Sequence, residues 1–197
     1  MKYAFAILCC VVVMNPKLLG QDYYADYLSL AGGYYVAANS STSGAVDIGY
    51  MVLNQGEVIG GELHMKTVSA SVFGVDNVGV TAVTFSSFYG MMFTENDLRP
   101  YIAGGIVFGF NALNSNDITS KRPELVIKND MTRSIGLFGV TGVQYFVSKR
   151  ISLFTDVRYG IDYFYAYIEH VSDEYVNLGG LYSRAGIRIT LSSSEDL

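Results

Sequence analysis

Beyond its first ten residues the chain has no cysteine; the only two are Cys9 and Cys10. A chain trimmed of its start therefore has no disulfide and no thiolate metal site. Positive charge is also scarce. Thirteen Lys and Arg face eighteen Asp and Glu, a formal net charge of −5, which argues against a nucleic-acid partner. No glycine-rich motif that could cradle a phosphate is present, and no long apolar run follows the start of the chain. Tryptophan is absent and proline numbers three. What is abundant is tyrosine (16 residues), glycine (21) and an apolar half spread by alternation rather than in blocks. That spread fits strands with one apolar face.

The start of the chain has its own chemistry. Met1-Lys2 is a small positive beginning, Tyr3 to Met14 is apolar, and Leu18-Leu19-Gly20 precedes Gln21. These are the three regions of a secretory signal peptide, residues 1–20. The apolar run is about a dozen residues, too short for a membrane-spanning helix of about 20. A lipoprotein reading of Cys9 fails because bulky Leu8 stands where that peptidase needs a small residue. Residues 21–197 then form one domain, which is the default at this length.

The remainder divides into eight candidate strands near Tyr27–Ala38, Gly44–Leu53, Glu57–Val68, Val78–Phe93, Tyr101–Ala112, Thr132–Val147, Ile151–Tyr167 and Leu178–Leu191. Asn54-Gln55-Gly56, Glu95-Asn96-Asp97 and Ser148-Lys149-Arg150 are brief turns. Asn39–Ser43, a weak stretch at Val75-Asp76-Asn77, the polar loop Leu113–Met131 and the loop His170–Asn177 make the other connections. Ser192–Leu197 is a polar tail. An even strand count with alternating short and long connections is the rule of outer-membrane barrels, with both termini periplasmic. The fold expected is all-β: an eight-stranded antiparallel up-and-down transmembrane β-barrel.

The strand faces support this. One face of the seventh strand carries Leu153, Val157, Tyr159, Ile161, Tyr163, Tyr165 and Tyr167; the other carries Ser152, Asp156, Arg158, Gly160 and Asp162. Leu181, Ala185, Ile187, Ile189 and Leu191 alternate with Arg184, Gly186, Arg188 and Thr190, and Ile59, Leu63 and Met65 alternate with Gly60, Glu62, His64 and Lys66. A face mixing charge with glycine suits a narrow interior. An apolar face ending in tyrosines suits lipid and its aromatic girdle.

Leu98-Arg99-Pro100-Tyr101-Ile102-Ala103-Gly104-Gly105-Ile106 resembles the turn–strand motif of small OmpA/OmpX-like outer-membrane barrels. Gly142 to Leu153 resembles a second hallmark of that superfamily, a strand, a basic turn and a strand. The resemblance implies a cell outer-membrane location, with lipid, lipopolysaccharide and the barrel assembly machinery as partners. Members often end in a strand with a C-terminal aromatic, whereas this chain continues past Thr190-Leu191 into Ser192–Leu197. A separate stretch, His170-Val171-Ser172 with Asn177-Leu178-Gly179, resembles lipid A 3-O-deacylases, which implies Ser172 as nucleophile and His170 as base. Asp173 stands where that family has an oxyanion-stabilising Asn.

The candidate functional residues are the inward charges: Asp47, Glu62, His64, Lys66, Asp156, Arg158, Asp162, Arg184 and Arg188. A hairpin centred on Asn54-Gln55 places Asp47 opposite Glu62, a repulsive pair in need of the arginines of the last two strands. His64 lacks a second ligand for a metal, and no cofactor is expected. The loop Leu113–Met131, with Asn114, Asn116, Asp117, Lys121, Arg122, Glu124, Lys128 and Asp130, is the place for a surface ligand. The function expected is structural or interactive: envelope integrity, adhesion or a small gated conductance, without catalysis. The alternatives are a deacylase-like outer-membrane esterase and a soluble periplasmic barrel with a ligand inside.

Overall fold

A computed structural model describes residues 24–37, 41–93, 97–125, 131–168 and 172–193. The proposed signal at residues 1–20, His170, and Lys128 and Asp130 of the long loop lie outside the described residues. The strands are β1 (Tyr24–Ala37), β2 (Thr42–Asn54), β3 (Glu57–Val72), β4 (Val75–Met92), β5 (Leu98–Leu113), β6 (Met131–Phe146), β7 (Ile151–Ile168), β8 (Ser172–Asn177) and β9 (Gly180–Ser193). One short helix, α1 (Ser115–Lys121), lies between β5 and β6. Each strand from β1 to β7 pairs antiparallel with the next, β9 pairs with β7, and β1 pairs with β9, from Ala37↔Gly180 to Ala25↔Ser193, which closes the sheet. Closure satisfies the backbone ladder all round and leaves no open edge to lipid.

Nine strands make eight staves. β8 and β9 lie end to end along one edge of β7: Tyr163↔Asn177 begins the β8 pairing and Gly160↔Gly180 begins that of β9. At the break the Asn177 side-chain oxygen accepts from the Asp162 and Gly179 amides at 3.1 and 2.8 Å, and Leu178 N donates to Asp162 O at 2.7 Å. Gly179 is needed there, because a Cβ would stand 2.3 Å from the Gly160 carbonyl oxygen. The stretch expected as a loop from His170 to Asn177 is therefore strand from Ser172 onward. A local side-chain bond replaces the ladder only at the break.

Two hairpins differ from expectation. In the first, the central residues are Gln55 and Gly56, at φ 48° and 86°, so Asn54 pairs with Glu57. Positive φ at both central residues is the two-residue turn whose twist matches its strands. The register moves by two from the expected one. Asp47 faces His64, and Glu62 faces Gly49, so the expected opposition of two carboxylates does not occur. In the second, β3 runs to Val72 and β4 starts at Val75 rather than Val78. The turn is Phe73-Gly74, at φ 53° and 70°. Phe73 is apolar and carried no turn signal.

The wall is apolar outside. Leu30, Ile102, Ile135 and Leu137 are each 57–60 % exposed. Exposed Tyr89, Phe93 and Tyr145 stand near the end where β1 begins and β9 ends, and Tyr34, Phe110, Tyr163 and Tyr175 near the other. The ten residue steps from Leu153 to Tyr163 along β7 span ~34 Å of strand, or ~26 Å at a tilt of ~40°, which matches an apolar band ~25 Å tall.

Candidate functional site: a charged belt inside the barrel

The lumen is stacked in three tiers. At the end with the Gln55-Gly56 turn, Tyr27, Met51, Leu53, Val58, Met92 and Phe138 pack together. At the other end Val68, Val72, Val75, Val80, Phe164 and Leu178 form a second cluster. Ile118 of α1 and Leu125 drop into that upper cluster and are almost fully buried. The loop expected to be a polar surface segment is thus, over its described part, a cap on the barrel mouth. Asp117 accepts from Gly79 N at 2.9 Å, and Lys121 donates to the Asp76 carbonyl. The upper tier reverses the pattern of the wall: in β3 the inward residues are apolar Val68, Ala70 and Val72, and they alternate with Thr67, Ser69 and Ser71 outside, so a rule that turns the apolar face to lipid misses them.

Between the tiers lies the belt, built by inward positions of β2, β3, β7 and β9. Asp47, Glu62, His64, Lys66, Asp156, Asp162, Arg184 and Arg188 are all buried, and Arg158 is nearly so. Arg184 is the hub. Its Nε donates to Asp156 Oδ1 at 2.8 Å, its Nη2 to Asp156 Oδ2 at 3.0 Å and to Glu62 Oε1 at 2.8 Å, and its Nη1 lies 3.5 Å from Asp47 Oδ2. Arg158 Nη2 donates to the other Glu62 oxygen, with its guanidinium 4.3 Å over the Phe138 ring. Asp47 meets His64 Nδ1 and the Tyr182 hydroxyl. Lys66 donates to the Tyr35 hydroxyl at 3.1 Å and the Leu178 carbonyl at 3.0 Å, and lies 3.7 Å from Asp162.

Arg188 is held by neutral groups. It donates to Gln144 Oε1 at 2.6 Å and to the Tyr101 hydroxyl at 3.1 Å, and stacks 4.1 Å over Phe154. Tyr101 in turn donates to Asp156 Oδ2 at 2.6 Å, and Gln144 to Ser152 Oγ at 2.7 Å. Leaving His64 aside, four carboxylates (47, 62, 156, 162) face four cations (66, 158, 184, 188). Mutual neutrality and dense hydrogen bonding are what allow charges to be buried at all.

The structure places all nine expected residues on inward positions of the lumen. It adds the neutral residues Tyr35, Tyr101, Tyr182 and Gln144, together with Ser152 of the same inward face of β7. Extending the β7 alternation to β5 and β6 would have found Tyr101 and Gln144, since both alternate with exposed Ile102 and Tyr145. The belt can brace the wall and block flow. Arg184 is committed to Asp156 and Glu62.

Eight antiparallel staves closed on themselves, lipid-suited outside and filled with side chains inside, define a small transmembrane β-barrel. The fold is that of the OmpA/OmpX-like outer-membrane barrels. It is similar to neisserial surface protein A (13 % identity, TM-score 0.57), covering 87 % of this chain and 100 % of that one. It is similar also to the outer membrane protein OprG of Pseudomonas aeruginosa (11 %, 0.56; 88 % and 97 %). A major outer membrane protein of Thermus thermophilus shares the fold as well (10 %, 0.50; 85 % and 99 %). No protein-family model and no curated protein matches the chain.

Proposed function

We propose that this chain is an outer-membrane barrel of the bacterial envelope with a structural or surface-interaction role and no catalytic one. The observation that carries the reading is the dress of the wall: apolar side chains face out around the full circumference, and charges are buried and paired within. A soluble barrel would reverse that arrangement. In this reading residues 1–20 direct export, and the barrel assembly machinery inserts residues 21–197. Lipid and lipopolysaccharide surround the wall, and the end with the Gln55-Gly56 turn, where β1 begins and β9 ends, faces the periplasm. A lumen with apolar tiers above and below its charges favours envelope support or adhesion over conductance. Contact with a surface ligand then falls to the exposed polar residues of the cap, Asn116, Lys121, Arg122 and Glu124.

Cell fractionation followed by electrophoresis with and without boiling tests the reading. The expected result is recovery in the outer membrane and a mobility that changes only on boiling. A soluble protein with no shift would return the leading place to a periplasmic ligand-binding barrel.

A further inference from the structure

A cavity of about 50 Å³ lies beside the belt, lined by Lys66, Thr84, Val107, Arg158, Asp162 and Tyr182 among others. Asp162 is 4 % exposed, and neither of its carboxylate oxygens receives a hydrogen bond from a protein group. The Lys66 ammonium stands 3.7 Å away, beyond a good hydrogen bond, and already serves Tyr35 and Leu178. Arg158 also lines this cavity, and its Nε has no acceptor. A buried carboxylate without donors is expensive, and a buried guanidinium N–H without an acceptor adds to that cost. The space is ample: a water needs about 10–15 Å³ measured in this way, with two to four polar partners.

We propose that this cavity is a hydrated chamber in which a small cluster of ordered waters joins the Asp162 carboxylate to the Lys66 ammonium and the Arg158 Nε. Water fits the vacant valences on both sides, since the carboxylate lacks donors and the Nε lacks an acceptor, and water supplies both. A cation in this space would meet Lys66 and Arg158, and an anion would meet Asp162, so charge selects a neutral occupant. The waters complete the charge belt as a structural part of it.

Two measurements test the chamber. Val107 lines it from β5 and makes no ion pair, so Val107→Phe fills it and expels water. The refolded protein in detergent micelles is unfolded with urea and followed by far-UV circular dichroism. In the unsubstituted background Val107→Phe should lower the folded-to-unfolded ratio roughly tenfold or more, because Asp162 is then left without donors. In an Asp162→Leu background the same substitution should cost little or stabilise. Equal effects in the two backgrounds, of either sign, overturn the proposal. The second measurement needs no substitution: magnetisation transfer from water to the Val107 and Thr84 methyl groups. Cross-peaks at both are expected, and their absence means a dry void.

Discussion

Replacing Arg184 by Met keeps an unbranched apolar stem and removes the guanidinium that is the hub of the belt. The loss can be worked from the geometry. Three hydrogen bonds at 2.8–3.0 Å to two carboxylates disappear, and the contact with Asp47 at 3.5 Å goes with them. Asp156 keeps only the Tyr101 hydroxyl and Glu62 only Arg158. Four buried carboxylates then face three cations. Removing one partner of a buried ion pair costs about 3–5 kcal/mol, and two pairs meeting at one guanidinium place this substitution at the upper end. At roughly 1.4 kcal/mol per tenfold, the folded-to-unfolded ratio falls by a factor of several hundred to several thousand. The chain has no tryptophan, so unfolding in lipid vesicles is best followed across a urea series by the boiling-dependent gel shift and far-UV circular dichroism. Adding Asp156→Asn to Arg184→Met restores neutrality and should recover a substantial part of the loss. A single variant within about 1 kcal/mol of the parent would refute the reasoning, because that value belongs to an exposed ion pair. So would a second substitution that merely adds its own cost.

Leu30→Arg, in the middle of the outer face of β1, should cost about 2–4 kcal/mol in a bilayer; urea unfolding in vesicles checks it, and no cost would mean that this face meets water. Gly179→Ala should destabilise by about 1–3 kcal/mol, as overpacking does, because its Cβ would collide with the Gly160 carbonyl. Amide exchange should rise locally where β8 meets β9, and an unchanged exchange profile would show that the break relaxes freely. In planar bilayers the refolded protein, and Arg158→Ala or Arg188→Ala variants of it, should give no channel steps; steady conductance that shifts with either substitution would establish a gate instead.

Much of this was legible in the chain, and for one reason. A strand shows its two faces in alternate residues, so wherever one face was apolar and the other charged, as in Leu153 to Asp162 and Arg184 to Leu191, both the strand and its orientation could be read. The same rule was silent for Val68–Val80 and for Val176-Asn177-Leu178, where inward residues are apolar or short. The cap was misjudged for a related reason: in Asn114–Glu124 the polar residues outnumber Ile118, the one described helix residue that is buried. Which charges share the lumen followed from alternation. Who pairs with whom did not, because Asp47 and His64 are joined by the hairpin register, while Arg184 and Glu62 meet only across the bore.

The sequence by itself determined the period, the stave count and which residues turn away from lipid, because these depend on neighbours one and two positions apart. Tertiary structure alone decided the partners. The positive φ of Gln55 and Gly56 set Asp47 against His64, and closure of β1 on β9 brought Arg184 from the last strand within 2.8 Å of Glu62 from the third. Contacts 122 residues apart in the chain are set by the circumference of the barrel, and no local pattern encodes a circumference.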